Sequence, residues 1–145
     1  MVKLLFVLMN EYRLWALPQA LAALERRCPG AVEGRVYSVR EINADAGLER
    51  ALLADGAAAD MAFLASHGSI QNLYCFSRLW EALEGRPVYF TSTMGDELAE
   101  LLPRLGLEPA LYAALDSYYQ AGSPADLEGL VLCALNGRFG GDYPL

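Results

Sequence analysis

The sequence predicts an α/β fold, with a four-stranded parallel sheet between two layers of helices and extra helices towards the C-terminus. Four short runs of the chain are almost continuously apolar, which is typical of strands that are covered on both faces. Helix-length segments with an apolar stripe separate these runs, as in successive strand–helix–strand units. Right-handed crossovers between parallel strands favour the order 2-1-3-4, the beginning of a flavodoxin-like sheet.

The four predicted strands are the apolar runs themselves. Each has the length of an ordinary strand. Their bounds are Val2–Met9, Val36–Val39, Met61–Ser66 and Val88–Thr93. The pattern contains no candidate for the fifth strand that commonly completes such a sheet, so we expect the remaining residues to be helical.

Three amphipathic helices are predicted between the strands. The first has an apolar face and ends at Pro29-Gly30. The second runs from Asp45 to Asp55. The third has apolar residues at steps of three and four, which predicts that Trp80 is buried with them. These faces consist of Leu14, Leu17, Leu21, Leu24 and Cys28 in the first helix, and of Leu73, Phe76, Trp80 and Leu83 in the third.

Three further helices are predicted after the fourth strand. A short one carries a leucine stripe that begins at Leu98 and is interrupted at Pro103. The next begins at Pro109, since proline suits the first helical turn, and ends near Gln120. The last begins at Ser123, which is followed by a proline at the first helical position and by Asp126 at the third.

Charge excludes two classes of partner. The chain has 18 acidic and 11 basic residues, which gives a net charge of −7. Its arginines are scattered and form no stripe that could follow a phosphate backbone. We therefore expect no binding to nucleic acid or to an anionic membrane surface.

The length of 145 residues predicts a single domain with one core. The three cysteines are far apart and form no metal-binding or redox motif, which favours a cytoplasmic protein. The apolar run at residues 4–9 is too short for an export signal or a membrane span. The tail from Asn136 to Leu145 combines a linker-like composition with aromatic residues, so we expect the domain to be the N-terminal fragment of a much longer chain.

The candidate ligand site is a crevice at the carboxyl edge of the predicted sheet, because open parallel sheets bind ligands there. His67, the only histidine, follows the third strand and could bind a ligand or transfer a proton. A loop histidine that is bonded to a neighbouring carbonyl is the structural alternative. The residues expected at the crevice are Asn10, Glu11, His67, Gly68, Ser69, Thr91, Ser92 and Thr93.

The same loops give little support to a metal or a flavin. A metal site would need ligands beyond His67, and only Asn10, Glu11 and the pair Asp96-Glu97 could supply them. Thr91-Ser92-Thr93-Met94-Gly95 is hydroxyl-rich, like a loop that binds flavin phosphate, but it follows the fourth strand instead of the first. The acids after it would also repel a phosphate.

Three other functions receive little support from the sequence. A phosphate-accepting receiver domain needs an aspartate where Ser66-His67 stands, and no carboxylate beside His67 completes a hydrolase triad. An aromatic pocket for a flat ligand would use Trp80 together with three tyrosines, although packing in the core is the expected role of such residues. The tyrosines are Tyr112, Tyr118 and Tyr119.

Three stretches of the chain resemble a known family. The first leads from Ala59-Asp60-Met61 through a strand to Ser66-His67-Gly68-Ser69, and the second leads from Pro87-Val88-Tyr89-Phe90 to Asp96-Glu97-Leu98. The third, residues 118–127, is a tyrosine and glycine turn before a leucine-rich helix, and a Phe-Gly-rich exit follows it at residues 139–144. Together they resemble the N-terminal region of the cobaltochelatase large subunit (the CobN type), which is related to the H subunit of magnesium chelatase.

The resemblance implies one part of an ATP-dependent enzyme that inserts Co²⁺ into a corrin precursor in cobalamin biosynthesis, or Mg²⁺ into protoporphyrin. It implies no cofactor in this domain, because ATP hydrolysis belongs to separate AAA+ subunits and metal insertion to the later body of the large subunit. The implied partners are the remainder of that subunit, the AAA+ subunits and the tetrapyrrole. A free-standing flavodoxin-like module that binds a small ligand near His67, and a purely structural interaction domain, are the alternatives.

Overall fold

The computed structural model describes all 145 residues, and its sheet confirms the predicted order. The four strands are all parallel and lie in the order β2-β1-β3-β4. Their bounds are Val2–Leu8 for β1, Val32–Ser38 for β2, Met61–Ser66 for β3 and Val88–Ser92 for β4. Strands β1 and β4 each end one residue before their predicted ends, Met9 and Thr93.

The second strand differs from its prediction, because it begins at Val32 and not at Val36. Its only neighbour is β1, so it is an edge strand that is partly exposed, and such a strand need not be continuously apolar. Gly34 lets the strand approach the first helix, since a Cβ atom there would lie 2.7 Å from Cδ1 of Leu21. Val39, predicted to end the strand, instead begins a short helix that the side chain of Ser38 caps.

Seven helices cover the two faces of the sheet. One face carries α1 (Glu11–Arg27), α6 (Pro109–Ala121) and α7 (Pro124–Arg138). The other carries α2 (Val39–Ala44), α3 (Ala46–Ala58), α4 (Phe76–Ala82) and α5 (Gly95–Leu101). No helix combines the length and the apolar content that a membrane crossing requires.

The predicted helices on the second face differ in their bounds. The helix expected from Asp45 to Asp55 is α3, which Asp45 caps through its side chain. The third predicted helix is shorter than expected, because Leu73 precedes α4 and Leu83 follows it. Trp80 is only partly buried, which corrects the prediction: α4 directs Phe76 and Leu79 into the core, and the indole lies under the guanidinium of Arg104.

The helix α7 is wedged between α1, α6 and the sheet, and every residue from 130 to 135 is buried. Gly129 permits the contact with α6, since a Cβ atom there would lie 2.5 Å from Cε1 of Tyr118. The predicted start of α7 is confirmed, because Ser123 and Asp126 form a capping box. This packing fixes the C-terminal end of α6 above the carboxyl edge of the sheet.

The outer edge of β4 is covered without a fifth strand. The backbone N–H of Val88 donates to the carbonyl of Leu105 at 2.8 Å, and the hydroxyl of Tyr112 donates to the carbonyl of Phe90 at 2.8 Å. The chain after β4 therefore satisfies part of the edge with a loop and one tyrosine side chain. The tail is also held in place, because the side-chain amide of Asn136 makes two hydrogen bonds to the backbone of Tyr143.

Candidate functional site

A crevice of about 300 Å³ lies at the carboxyl ends of β3 and β4, where the strand order predicts a ligand site. It is bounded by the start of α1, the loops that follow β3 and β4, and the end of α6. Five of the eight residues expected from the sequence line it. They are Asn10, His67, Thr91, Ser92 and Thr93.

The other three expected residues lie outside the lining. The side chain of Glu11 is almost fully exposed and lies 3.7 Å from the guanidinium of Arg40, over a different depression of the surface. Gly68 and Ser69 belong to the loop behind the crevice and hold that loop in place. The structure therefore brings Asn10 to His67 and the threonines, and it separates Glu11 from them.

Glu97 organises the loop that carries His67. One carboxylate oxygen accepts from the backbone N–H of Ile70 at 2.8 Å and from the hydroxyl of Ser92 at 3.1 Å. The other oxygen accepts from the hydroxyl of Ser69 at 2.8 Å. These bonds join the loop after β3 to the first turn of α5, so Glu97 is a structural group here and not only an acid that favours the helix N-terminus.

His67 is exposed, and none of the hydrogen bonds of the chain involves its imidazole. Its backbone N–H instead contacts the sulfur of Met9 at 3.3 Å. The next residue, Gly68, donates its N–H to Thr93 Oγ1 at 2.7 Å, which ties the histidine loop to the loop after β4. The imidazole is thus free at the mouth of the crevice, on a backbone that its neighbours hold in place.

Arg13 is a site residue that the sequence analysis did not identify. It extends from the first turn of α1 to the end of α6, where Nε donates to the carbonyl of Tyr119 at 2.9 Å and Nη2 to that of Gln120 at 3.0 Å. Its guanidinium also lies 4.5 Å from the centroid of the Tyr119 ring. Gly122 ends α6 at a φ of 74°, and a Cβ atom there would lie 2.9 Å from Arg13 Nη2. This contact closes one side of the crevice.

A cluster of tyrosines supports the wall behind Gln120. The hydroxyl of the buried Tyr89 donates to Asp116 Oδ1 at 2.7 Å, and Gln120 Nε2 donates to the same oxygen at 3.2 Å. Burial, reinforced by the bond to Asp116, raises the pKa of Tyr89 far above its usual value. Burial also raises the pKa of Tyr119 to about 12.

The aromatic residues do not form the pocket that the sequence left open as an alternative. Tyr112 and Tyr119 pack on Tyr89 with ring centroids 5.4 and 5.5 Å away, on the face of the sheet that α6 and α7 cover. Trp80 lies on the opposite face, against Phe76. The tyrosines are therefore core residues that position the crevice wall.

The charge of the lining differs from that of the whole chain. No aspartate or glutamate lines the crevice, although the chain has 18 of them. Arg13 supplies a permanent positive charge, and the rest of the lining is mostly hydroxyl, amide and imidazole groups. No three histidine, cysteine, aspartate or glutamate side chains converge as metal ligands anywhere in the chain. The arrangement suits the binding of a polar group.

The comparisons with known proteins add no identification, because no protein-family model and no curated protein matches the chain.

Proposed function

We propose that the chain is the N-terminal, non-catalytic module of the large subunit of an ATP-dependent metal chelatase that acts in the cytoplasm. One observation carries the proposal: the three stretches that resemble this family are distant in sequence, and the fold brings them to one crevice. They contribute residues 65–67, 91–93 and 119–120 of its lining. Two of these stretches end at the carboxyl ends of the neighbouring strands β3 and β4, and the third includes the end of α6.

The chemistry of the crevice favours binding of a substrate over catalysis of its reaction. Its single imidazole has no carboxylate partner, and no other general base lines it. Its amide, hydroxyl and guanidinium groups suit a carboxylate or amide substituent of a tetrapyrrole, or a loop of the domain that follows in the subunit. Cobalt or magnesium insertion and ATP hydrolysis would then belong to the later body of the subunit and to the AAA+ partners.

Exposed aromatic residues on α1 support an interface with the rest of such a subunit. Tyr12 is 50% and Trp15 is 59% exposed, and their ring centroids lie 5.6 Å apart. Adjacent exposed aromatic rings are uncommon on a surface that faces only water, and aromatic residues are enriched at protein interfaces.

The gene tests the proposal most simply. The reading frame that encodes Leu145 is expected to continue through a polypeptide several times the length of this chain. A stop codon directly after Leu145 would contradict the proposal and favour the free-standing ligand-binding module.

The 145-residue chain provides the biochemical test. Alone, it is expected to show no metal insertion and no ATP hydrolysis, and to bind a hydrogenobyrinate or a porphyrin weakly, because most walls of an enclosing site are absent. In the full subunit with its AAA+ partners, His67→Ala is expected to slow metal insertion without changing ATP hydrolysis. Equal rates of metal insertion for the unmodified large subunit and its His67→Ala variant would mean that the crevice has no part in the proposed function.

A further inference from the structure

Several side chains of the crevice keep an unpaired group that can donate a hydrogen bond, whereas Gln120 Oε1 is an unpaired acceptor. Arg13 uses two of its five N–H groups on the carbonyls of α6, so the end of the guanidinium remains free. The side-chain oxygen of Asn10 caps α1 by accepting from the backbone of Arg13, which leaves the NH₂ group of the amide unpaired. Thr93 Oγ1 accepts from Gly68, which leaves its hydroxyl proton free to donate. An acceptor-rich ligand group is the natural complement.

The carboxylates nearest to the crevice are already engaged. Both oxygens of Glu97 accept hydrogen bonds, from Ser69, Ile70 and Ser92. Asp116 accepts from Tyr89 and from Gln120. Both acids stand behind the lining and neither contributes to it. Their charges reduce the local positive potential, so the crevice suits a group of one negative charge better than a phosphate dianion.

We propose that the crevice binds a carboxylate, with Arg13 as the charged partner and with Asn10, His67 and Thr93 as further donors. The free end of the Arg13 guanidinium offers two parallel N–H groups, which match the two oxygens of a planar carboxylate. This inference rests on the proposed function and deepens it, because it names the chemical group that the module contacts. The carboxylate belongs either to a side chain of the tetrapyrrole or to an aspartate or glutamate of the following domain.

A pair of variants with equal change in net charge tests the carboxylate. Asn10→Asp keeps a good helix cap and places a negative charge in the crevice, whereas Gln19→Glu adds the same charge on an exposed turn of α1 away from it. Propionate, followed by NMR of the 145-residue chain, is the probe, and propionamide is its neutral analogue of similar shape. Asn10→Asp is expected to weaken propionate binding by about tenfold, and Gln19→Glu by less than about twofold.

His67→Ala supplies a second and milder variant. The imidazole is exposed and unbonded, so the fold is expected to be unaffected while propionate binds about threefold more weakly, as for the loss of one donor. Equal binding of propionate and propionamide, or equal affinities of Asn10→Asp and Gln19→Glu, would overturn the inference. Failure of propionate and of coproporphyrin to bind at all would overturn it as well.

Coproporphyrin distinguishes the two sources of the carboxylate. An affinity at least about tenfold above that of propionate would assign the carboxylate to a tetrapyrrole, and an affinity equal to that of propionate would assign it to a protein side chain. Both results support the inference. The carboxylate inference and the chelatase proposal can fail separately. A stop codon after Leu145 would contradict the chelatase proposal and would leave propionate binding to this chain unchanged.

Discussion

Two cavities at opposite edges of the sheet differ in chemistry more than in size. The crevice at the carboxyl edge has a volume of about 300 Å³, and a cavity at the amino end of β4 has about 380 Å³. The amino-end cavity is lined by Trp80, Glu81, Glu84, Arg86 and Arg104, among others. Its two glutamates and two arginines give it no net charge, whereas the crevice has an arginine and no acid.

The two glutamates and the engaged Arg86 make the amino-end cavity the weaker candidate for a carboxylate site. Arg86 donates through Nη1 to the carbonyl of Ala82 at 2.7 Å and through Nη2 to that of Ala57 at 2.6 Å, which ties the ends of α3 and α4 together. Arg104 lies over the ring of Trp80. Arg13 also ties a helix end, yet it lines a cavity that has other donors and no acid.

The largest expected effect separates structural from binding arginines. Arg86→Met is expected to lower the free energy of unfolding by about 2–3 kcal/mol, because charged hydrogen bonds to two helix ends are lost. Propionate binding at the opposite edge should stay within about twofold of the unmodified chain. Urea unfolding and NMR titration measure the two quantities. If Arg86→Met abolished propionate binding and left the stability unchanged, Arg86 would be the binding arginine and the amino-end cavity the site.

Trp80→Ala is expected to lower the free energy of unfolding by about 2 kcal/mol, less than the 3–5 kcal/mol typical of a fully buried tryptophan. The partial exposure of the indole is the reason, since the cavity wall already meets solvent. Thermal or urea unfolding is the measurement. A loss of 4 kcal/mol or more, on the scale of a fully buried tryptophan, would mean that Trp80 is a core residue, as its position in the sequence pattern suggested.

Glu97→Gln tests whether the crevice loop depends on the carboxylate. The carboxylate accepts through both oxygens, whereas an amide has one oxygen and one NH₂ group. The glutamine therefore cannot accept all three hydrogen bonds, from Ser69, Ile70 and Ser92. The variant should lose about 1–2 kcal/mol of stability and bind propionate more weakly. Glu100→Gln, an exposed acid of the same helix, is the matched control and should change stability by less than about 0.5 kcal/mol. Similar results for both variants would show that Glu97 does not organise the loop.

The smallest effect is the dependence of stability on alkaline pH. Burial raises the pKa of Tyr119 to about 12, whereas a tyrosine in the unfolded chain ionises near 10. Its stabilising contribution is therefore complete below pH 10 and is lost as the pH rises towards 12. Between pH 9 and 10.5 the free energy of unfolding should fall by about 0.8 kcal/mol on account of this group. Tyr119→Phe should remove that part of the decline, and an identical decline in both chains would contradict it.

The sheet could be predicted because its interior strands carry the signal in consecutive residues. The six residues of β3 are all buried, so Met61–Ser66 is apolar throughout and its bounds were predicted correctly. The start of β2 could not be found in the same way, since an edge strand admits Glu33 and Arg35. The exposure of Trp80 depends on the position of Arg104 and on the short α4, neither of which is visible in the apolar pattern.

The part of the site that depends on strand topology could be predicted from the sequence. The rule that ligands lie beyond the carboxyl ends of parallel strands placed Asn10, His67 and Thr93 at one edge. Arg13 could not be found, because its partner Tyr119 is 106 residues away and only the packing of α6 against α7 brings the two together. The role of Glu97 was missed for a different reason: topology brings the loops after β3 and β4 together, but it does not show that this carboxylate accepts from Ser69, Ile70 and Ser92.

The most direct test of the central claim compares the two cavities in one titration. Propionate is added to the isotope-labelled 145-residue chain, and NMR follows the Nε–H of Arg13, the imidazole of His67 and the indole N–H of Trp80. We predict saturable shifts at Arg13 and His67, with the Trp80 signal unmoved. A shift of the Trp80 indole equal to theirs, or saturation at Trp80 alone, would contradict a carboxylate site at the carboxyl edge of the sheet.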